Sequence, residues 1–550
     1  MTMTAPSTAP TIVRTVSLGG APLTAAAVDG SAPAHWYVPR PSEPRAWAAR
    51  IEQVRHEARA ADWLGALWPA IAAEGLAAER LRNAAAHGVV VTTGQQPGLF
   101  GGPIYTWSKA IGVLALADAI EKASGVPVAP VFWAATDDTD FAEASTTWIA
   151  SRGGATALTA MPAAEAGTVL ASAPFGDLSA PLESLAAAAG SAPYAEAMDA
   201  VRAAYATSGR APVTAGRAYV ALLRRVLEPL GIAVLDASHA AVRAAAMPIL
   251  VRALARADAV AAALAERSRE IEAAGYSPQV SDMAALSLVF EWSGLDRPAA
   301  GDRSAAPDGA APVGVTKIRV PLKQAPEVAA RALPGALSAN VLLRPVVERS
   351  ILPTVAYLGG PGELAYFAQT TAVASALQLP LPLAVPRWSC SLLEPAIAAL
   401  MDRHGITEEE LRDAHGPEGR LARAALPAAI RDALAALRTA VDGGIDAIVS
   451  ADATGLVSPE AIEGTRIHLR HRVERLERRY AAEAKQAAAA TMTDVATIRG
   501  ALRPNGIEQE RALNFIPFLA RGGPALVDSM RREAAHHAGA LVGGASSAIR

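Results

Sequence analysis

Between residues 45 and 87 the apolar side chains fall at near-helical spacing: Trp47, Ile51 and Val54, then Trp63, Leu64, Leu67 and Trp68. That recurrence predicts helices. At Gly88 the pattern changes to Val89-Val90-Val91-Thr92-Thr93, a β-branched run typical of a strand buried in a parallel sheet. The run ends in Gly94-Gln95-Gln96-Pro97-Gly98-Leu99-Phe100-Gly101-Gly102-Pro103. Helical spacing then resumes over 104–122 through Ile104, Trp107, Ile111, Leu114 and Leu116. A second apolar run, 126–134, stops at Thr136-Asp137-Asp138-Thr139-Asp140. Strand, helix and strand in this order make a βαβ unit.

The theme returns downstream. A helix is expected near 216–229, followed by a strand at 232–235 that ends at Asp236. Strand-like runs at 286–292 and 315–320 flank a Gly/Pro/Ala/Asp-rich stretch, 295–315, which reads as a loop or hairpin tip. Another buried strand is expected at 351–358, running into Gly359-Gly360-Pro361-Gly362-Glu363 and a helix over 364–377. After Pro386 the pattern turns helical through 391–495. Ile430, Leu434, Leu437 and Val441 form one apolar seam, and Leu469, Val473, Leu476 and Tyr480 form another. A Gly-containing break from Gly443-Gly444 to Gly455 separates them, so the expected form is an antiparallel coiled-coil hairpin. Such seams pack on a core or pair two copies of a chain, and spacing leaves both open. Residues 503–528 read as loop and short helix.

Composition narrows the class. A chain of 550 residues is long for one domain, and 51% hydrophobic residues supply a sizeable core. The net charge of −3 gives no strong pull toward nucleic acid or an anionic membrane. The single cysteine, Cys390, allows no intramolecular disulfide and no site of several thiolates, which suits a reducing cytosol. The first ten residues lack the pattern of a secretory signal, and 2–11 read as a disordered tail. No stretch is apolar enough to span a bilayer. The expectation is a soluble cytoplasmic enzyme.

Three constellations carry candidate chemistry. In the first, the Gly94–Pro103 turn joins a buried strand to a helix N-terminus. Gly98 and Gly101 would admit close backbone approach, and Gln95, Gln96 and Tyr105 would offer polar groups to an anionic ligand. No Gly-Lys-Ser/Thr follows, so it is not a Walker loop. Lys109, one of five lysines, lies on the following helix and would suit a polyphosphate or simply face solvent. The second is Asp137-Asp138-Thr139-Asp140. These carboxylates would hold Mg²⁺ or a substrate ammonium, or would cap a helix. The third is Asn340-Val341-Leu342-Leu343-Arg344-Pro345 with Glu348, Glu363 and Tyr366. Arg344 would grip a carboxylate with its planar fork, or would pair with Glu348 or Glu363. The histidines form no metal-ligand pattern, and no metal site is expected.

The order of several fragments resembles the BshC family, the cysteine ligase of bacillithiol biosynthesis. They are Thr93 to Thr106, Pro130-Val131-Phe132-Trp133, Leu235-Asp236-Ala237-Ser238, Tyr276-Ser277-Pro278-Gln279-Val280, Asn340 to Pro345, Gly359 to Tyr366, Pro386-Arg387, Pro504-Asn505-Gly506 and Gln509-Glu510-Arg511. The resemblance covers nearly the whole chain. It implies an α/β, Rossmann-like parallel-sheet core akin to nucleotidyltransferases over 1–390, with insertions at about 151–330. It further implies an α-helical antiparallel coiled-coil domain over 391–495 and a return to the core over 496–550. The implied activity adds cysteine to the glucosamine amine of glucosaminyl-malate. Kinship also suggests ATP with Mg²⁺ for carboxylate activation, and a homodimer formed through the coiled coil.

On this reading Asp138, Asp140 and Glu363 are the catalytic candidates. Gln95, Gln96, Gly98, Gly101, Tyr105, Lys109, Asn340, Arg344 and Tyr366 are the substrate-binding ones. Two positions depart from the family: Thr139 stands where a histidine is usual, and Glu348 where glutamine is. The histidine pair of related nucleotidyltransferases has no counterpart in 98–103. The alternatives are a nucleotidyl- or acyl-transfer enzyme with a different acceptor, or a coiled-coil scaffold without activity.

Overall fold

The computed structural model describes residues 9–58, 62–161, 163–191, 193–206, 212–281, 285–295 and 313–544. Most of the expected tail at 2–11 and of the expected loop at 295–315 lies outside the described residues. The chain divides into two compact units. One holds Pro10–Ile149, Ala157–Leu392 and the chain from Glu510 onward; the other holds Ala150–Thr156 and Leu393–Gln509.

Eight strands of the first unit position the site: β1 (Val89–Gln95), β2 (Val128–Ala134), β3 (Ala233–Asp236), β4 (Leu286–Ser293), β5 (Thr316–Pro321), β6 (Leu337–Ala339), β7 (Thr354–Gly359) and β8 (Ala384–Pro386). Five of them form a wholly parallel sheet in the order β8-β7-β1-β2-β3. Strand β1 is the middle strand and is buried on both faces from Val89 to Gly94. That is why its sequence is a continuous β-branched run instead of an alternating one. From β1 the chain builds outward to β2 and β3, and later returns to the other side of β1 with β7 and β8. The order therefore reverses between β1 and β7, and a crevice is expected beyond their carboxyl ends. Strand β4 pairs antiparallel with β5 and β6 in a separate three-stranded sheet.

The helices that matter are α1 (Ile104–Ser124), α2 (Phe141–Ala144), α3 (Arg344–Ile351), α4 (Pro361–Leu377), α5 (Ala428–Ala451), α6 (Pro459–Ala487) and α7 (Ile516–Val542). Helices α1 and α4 follow the two central strands and are buried around most of their circumference. Burial on all sides removes the polar face that an amphipathic helix would show.

Three expectations change. The stretch expected as loop and short helix at 503–528 contains the start of α7, from Ile516 onward. Gly523 takes φ +54 and kinks the helix, which continues past Pro524. The break between the two long helices is 452–458, not Gly443-Gly444. Both of those glycines lie inside α5, with open space around their Cα atoms, where each costs helix stability of about 1 kcal/mol. The strand expected from 351 begins at Thr354, because 344–351 is helical with Pro345 in the first turn, where proline is well tolerated.

In the second unit, α5 and α6 run antiparallel. Arg438–Glu477, Asp442–Arg470 and Asp446–Arg466 are ion pairs whose numbers rise on one helix as they fall on the other. Leu434, Ile445, Val473 and Ala484 are buried.

Candidate functional site

A cavity of about 760 Å³ opens where β1, β2 and β7 end. Its walls come from both Gly-containing turns. Gly94, Gln95 and Gln96 close one side, Gly360 to Glu363 another, and Asp137, Asp138 and Thr139 a third. Phe290, Lys317 and Arg319 of the β4–β5 pair, with Asn340, complete it.

The floor is a connected polar network. Lys109 is 3% exposed. Its ammonium donates to the Gly94 carbonyl at 2.8 Å and to Gln95 Oε1 at 3.1 Å, and lies 2.6 Å from Glu363 Oε2. Burial pulls the Lys109 pKa down, and Glu363 opposes that. Glu363 also accepts from the Gly360 amide at 2.7 Å and from the Tyr357 hydroxyl. Burial pushes the Glu363 carboxyl upward, but Lys109 and Arg344 outweigh it and hold the group below the ordinary carboxylate range. Arg344 donates to Glu348 at 3.0 Å and to the hydroxyls of Tyr357 and Tyr366, each at 3.2 Å. Glu348 in turn accepts from Thr92 of β1. It is 1% exposed, and burial pushes its carboxyl up to about 7 even with Arg344 and Thr92 pulling the other way. One set of bonds thus ties β1, α1, α3, β7 and α4 together beneath the cavity.

Around the rim, Gln95 donates to the Tyr105 hydroxyl at 2.9 Å and to Gln96 at 3.0 Å, and Gln96 donates to Glu143 at 2.6 Å. Burial raises the carboxyls of both Asp137 and Glu143. Asp138 lines the cavity while one of its oxygens accepts from the amides of Thr139 and Asp140, at 2.6 and 3.2 Å. Asp140 is not among the lining residues. Its carboxylate caps α2 through the Glu143 amide at 3.0 Å. Thr139, where the resemblance implied a histidine, does line the cavity.

The expected site residues therefore separate by placement. Gln95, Gln96, Tyr105, Lys109, Asp138, Asn340, Arg344, Glu363 and Tyr366 come together around one space. Gly98 and Gly101 do not reach it. A Cβ at Gly98 would stand 2.7 Å from Gly102 Cα, and one at Gly101 would meet the Trp107 ring. These glycines serve the turn's own packing. Asn514 reinforces that turn by donating to the carbonyls of Leu99, Phe100 and Gly102. The first amide of α1 is likewise taken, by Leu513 O at 2.9 Å. The anion site imagined at this helix N-terminus thus has competing partners within the chain. Asn340 accepts from the Leu343 amide at 3.0 Å and so also shapes the entry to α3.

The lining residues that sequence spacing missed include Glu143, Phe290, Lys317, Arg319 and Arg511. Arg387, also in the lining, is buried against Glu510. Strand alternation of Lys317 and Arg319 was a readable signal, but nothing local said which sheet face they would meet. Arg387, Glu510 and Arg511 appeared only as fragments of the resemblance, far apart in sequence.

Fold and cavity define a Rossmann-like α/β protein whose polar groups converge at the reversal point of a parallel sheet, and whose chain also forms a long antiparallel helical hairpin. The comparisons agree. Residues 31–388 match the model for "Bacillithiol biosynthesis BshC, N-terminal Rossmann-like domain", and 459–540 match that for the "C-terminal coiled-coil domain" of BshC. Proteins named "Putative cysteine ligase BshC" align with most of the chain. The one from Solibacter usitatus is 33% identical, over 82% of this chain and 84% of its own. That from Koribacter versatilis is also 33% identical, over 82% of each. That from Geobacillus kaustophilus is 26% identical, over 82% of this chain and 83% of its own. The chain belongs to the BshC family.

Proposed function

We propose that this protein is a cysteine ligase of bacillithiol biosynthesis, joining the cysteine carboxyl carbon to the glucosamine nitrogen of glucosaminyl-malate. The observation that carries this reading is the family match across both domains, with a cavity at the sheet's reversal point lined by the very turns that the resemblance rests on.

Amide formation from a free carboxylate and an amine is unfavourable in water, so the carboxylate needs activation; bound ATP would supply a phosphorylated or adenylated leaving group. Among the described residues no cluster of three or more His, Cys, Asp or Glu side chains could hold a metal ion. A Mg²⁺ arriving with nucleotide would therefore rest on Asp137 or Asp138 and on the phosphates themselves. Lys109 is directed to Glu363 and the β1 turn, so its part is to hold both turns in place.

Asp138 is our candidate for the cysteine ammonium. Glu143, with its carboxyl raised, is better suited than Glu363 to take a proton from the acceptor ammonium, which must be deprotonated before it attacks. Glu363 is held ionised by its partners and acts through Lys109 as a positioning residue. Leu437, Leu469, Leu476 and Tyr480 are about 40% exposed on α5 and α6, and we assign that face to a twofold pairing of two chains. A cytoplasmic setting fits both a thiol product and a chain with one cysteine. Among the described residues no helix is long and apolar enough to cross a membrane.

Reconstitution tests the reading. Purified protein with cysteine, glucosaminyl-malate and ATP should yield a product heavier than the acceptor by one cysteinyl group, detected by mass spectrometry. No such product with any nucleoside triphosphate would overturn it.

A further inference from the structure

A second group of cations faces the cavity from the β4–β5 pair. Lys317 and Arg319 stand two apart on β5, so their side chains leave the same face. Both line the cavity. Phe290, paired opposite Arg319 on β4, lies against both: the Lys317 ammonium is 4.7 Å from the ring centroid and the Arg319 guanidinium carbon 5.8 Å. Arg319 also donates to the Ser287 carbonyl at 2.7 Å. The pair is thereby fixed on a sheet, the kind of support that keeps a binding group in place.

Lys317 donates to the Asp137 carbonyl oxygen. An ammonium carries three N–H groups, so two remain for a ligand. The cations Lys109, Arg344 and Arg387 are each ion-paired within the protein, to Glu363, Glu348 and Glu510. Among the described residues no carboxylate forms such an ion pair with Lys317. Arg344, the cation expected from sequence to grip the acceptor, is held in the floor by Glu348 and two tyrosines. A ligand bearing acid groups meets Lys317 and Arg319 side by side on the β4–β5 wall, with Arg511 elsewhere in the lining. Asp137 and Asp138 share that side of the cavity.

We propose that Lys317 and Arg319 form a carboxylate-binding subsite that holds an acid group of the acceptor. The inference rests on the ligase reading for the identity of that acceptor, but the subsite can be tested without turnover. L-Malate serves as the probe in calorimetric titrations of the full-length protein, with ATP and inorganic phosphate titrated separately. Wild type should bind malate, and Lys317→Met and Arg319→Met should each weaken it by about tenfold or more, the scale of one charge-assisted hydrogen bond. Lys317→Arg should recover part of the loss, and circular dichroism melts of all variants should stay near wild type. Malate affinity that is absent in wild type, or unchanged in both folded variants, would overturn the subsite. So would a loss in the variants confined to ATP or phosphate.

Turnover separates the two levels. If wild type makes the cysteinyl product while the variants keep the wild-type Michaelis constant for the acceptor, the subsite falls and the ligase reading stands. If wild type makes no product yet malate binding is lost in the variants, the ligase reading falls and the subsite stands.

Discussion

Lys109 shows how far a residue can be read from its sequence position. Its rarity and its place one strand-to-helix turn beyond the glycines marked it, and the structure does bring it to the cavity. Its direction was not legible, because Glu363 lies 254 positions further along the chain and is brought to 2.6 Å only by the pairing of β1 with β7. Breaking a buried ion pair by removing one partner costs about 3–5 kcal/mol. Lys109→Met should therefore lower the melting temperature markedly, and Lys109→Met/Glu363→Met should recover much of that loss. A double variant no more stable than the single one would argue against the pair as a structural clasp.

Glu348 gives a prediction with a definite sign. Its carboxyl is raised by burial to about 7, from an ordinary 4.5. Between those values the folded chain holds a proton that the unfolded chain has released. The stabilising contribution is thus complete below the unfolded value and is lost as pH rises through the folded one. Glutamine, close to the same size, cannot titrate. Relative to wild type, Glu348→Gln should gain melting temperature from pH 5 to pH 8. A difference that does not change with pH would show that this carboxyl does not carry the term.

At the scale of elements, periodicity served best where one rule governed the segment. The β-branched run of β1, the βαβ order and the two long helical seams all followed from side-chain spacing. It failed where glycine stood inside a continuing helix, at Gly443-Gly444, because glycine weakens a helix without forbidding it. The Gly98–Gly102 turn was found but its purpose was not: close approach is required there by Gly102 Cα, Trp107 and Asn514, all within the protein.

The same scale governs the helical hairpin. Leu434 and Val473 are buried within it, whereas Leu469 and Leu476 of the same seams are 40% and 39% exposed. The apolar seams therefore have a buried part and an exposed part. Leu469→Glu/Leu476→Glu should convert a dimer to a monomer in light scattering while leaving helix content by circular dichroism unchanged. A wild-type monomer at micromolar concentration, or a variant that remains dimeric, would remove the pairing assigned to this face.

For the whole molecule, the sequence located most of the cavity because its walls come from segments whose turns are locally recognisable: 94–96, 137–139 and 360–363. It left out the β4–β5 wall, since the meeting of Phe290, Lys317 and Arg319 with the parallel sheet depends on tertiary packing that no local pattern encodes. It also placed Asp140 beside Asp138 by adjacency alone, where the backbone turns one carboxylate to the cavity and the other to the start of α2. What unites these observations is a single site at the reversal point of the sheet, between the turns after β1 and β7. The most direct measurement is a crystal structure of the protein soaked with cysteine and glucosaminyl-malate. The expected result is density for both within this cavity, with the cysteine ammonium beside Asp138 and an acid group of the acceptor at Lys317 and Arg319. Well-ordered density for either substrate at a separate site, with this cavity holding neither, would contradict the account.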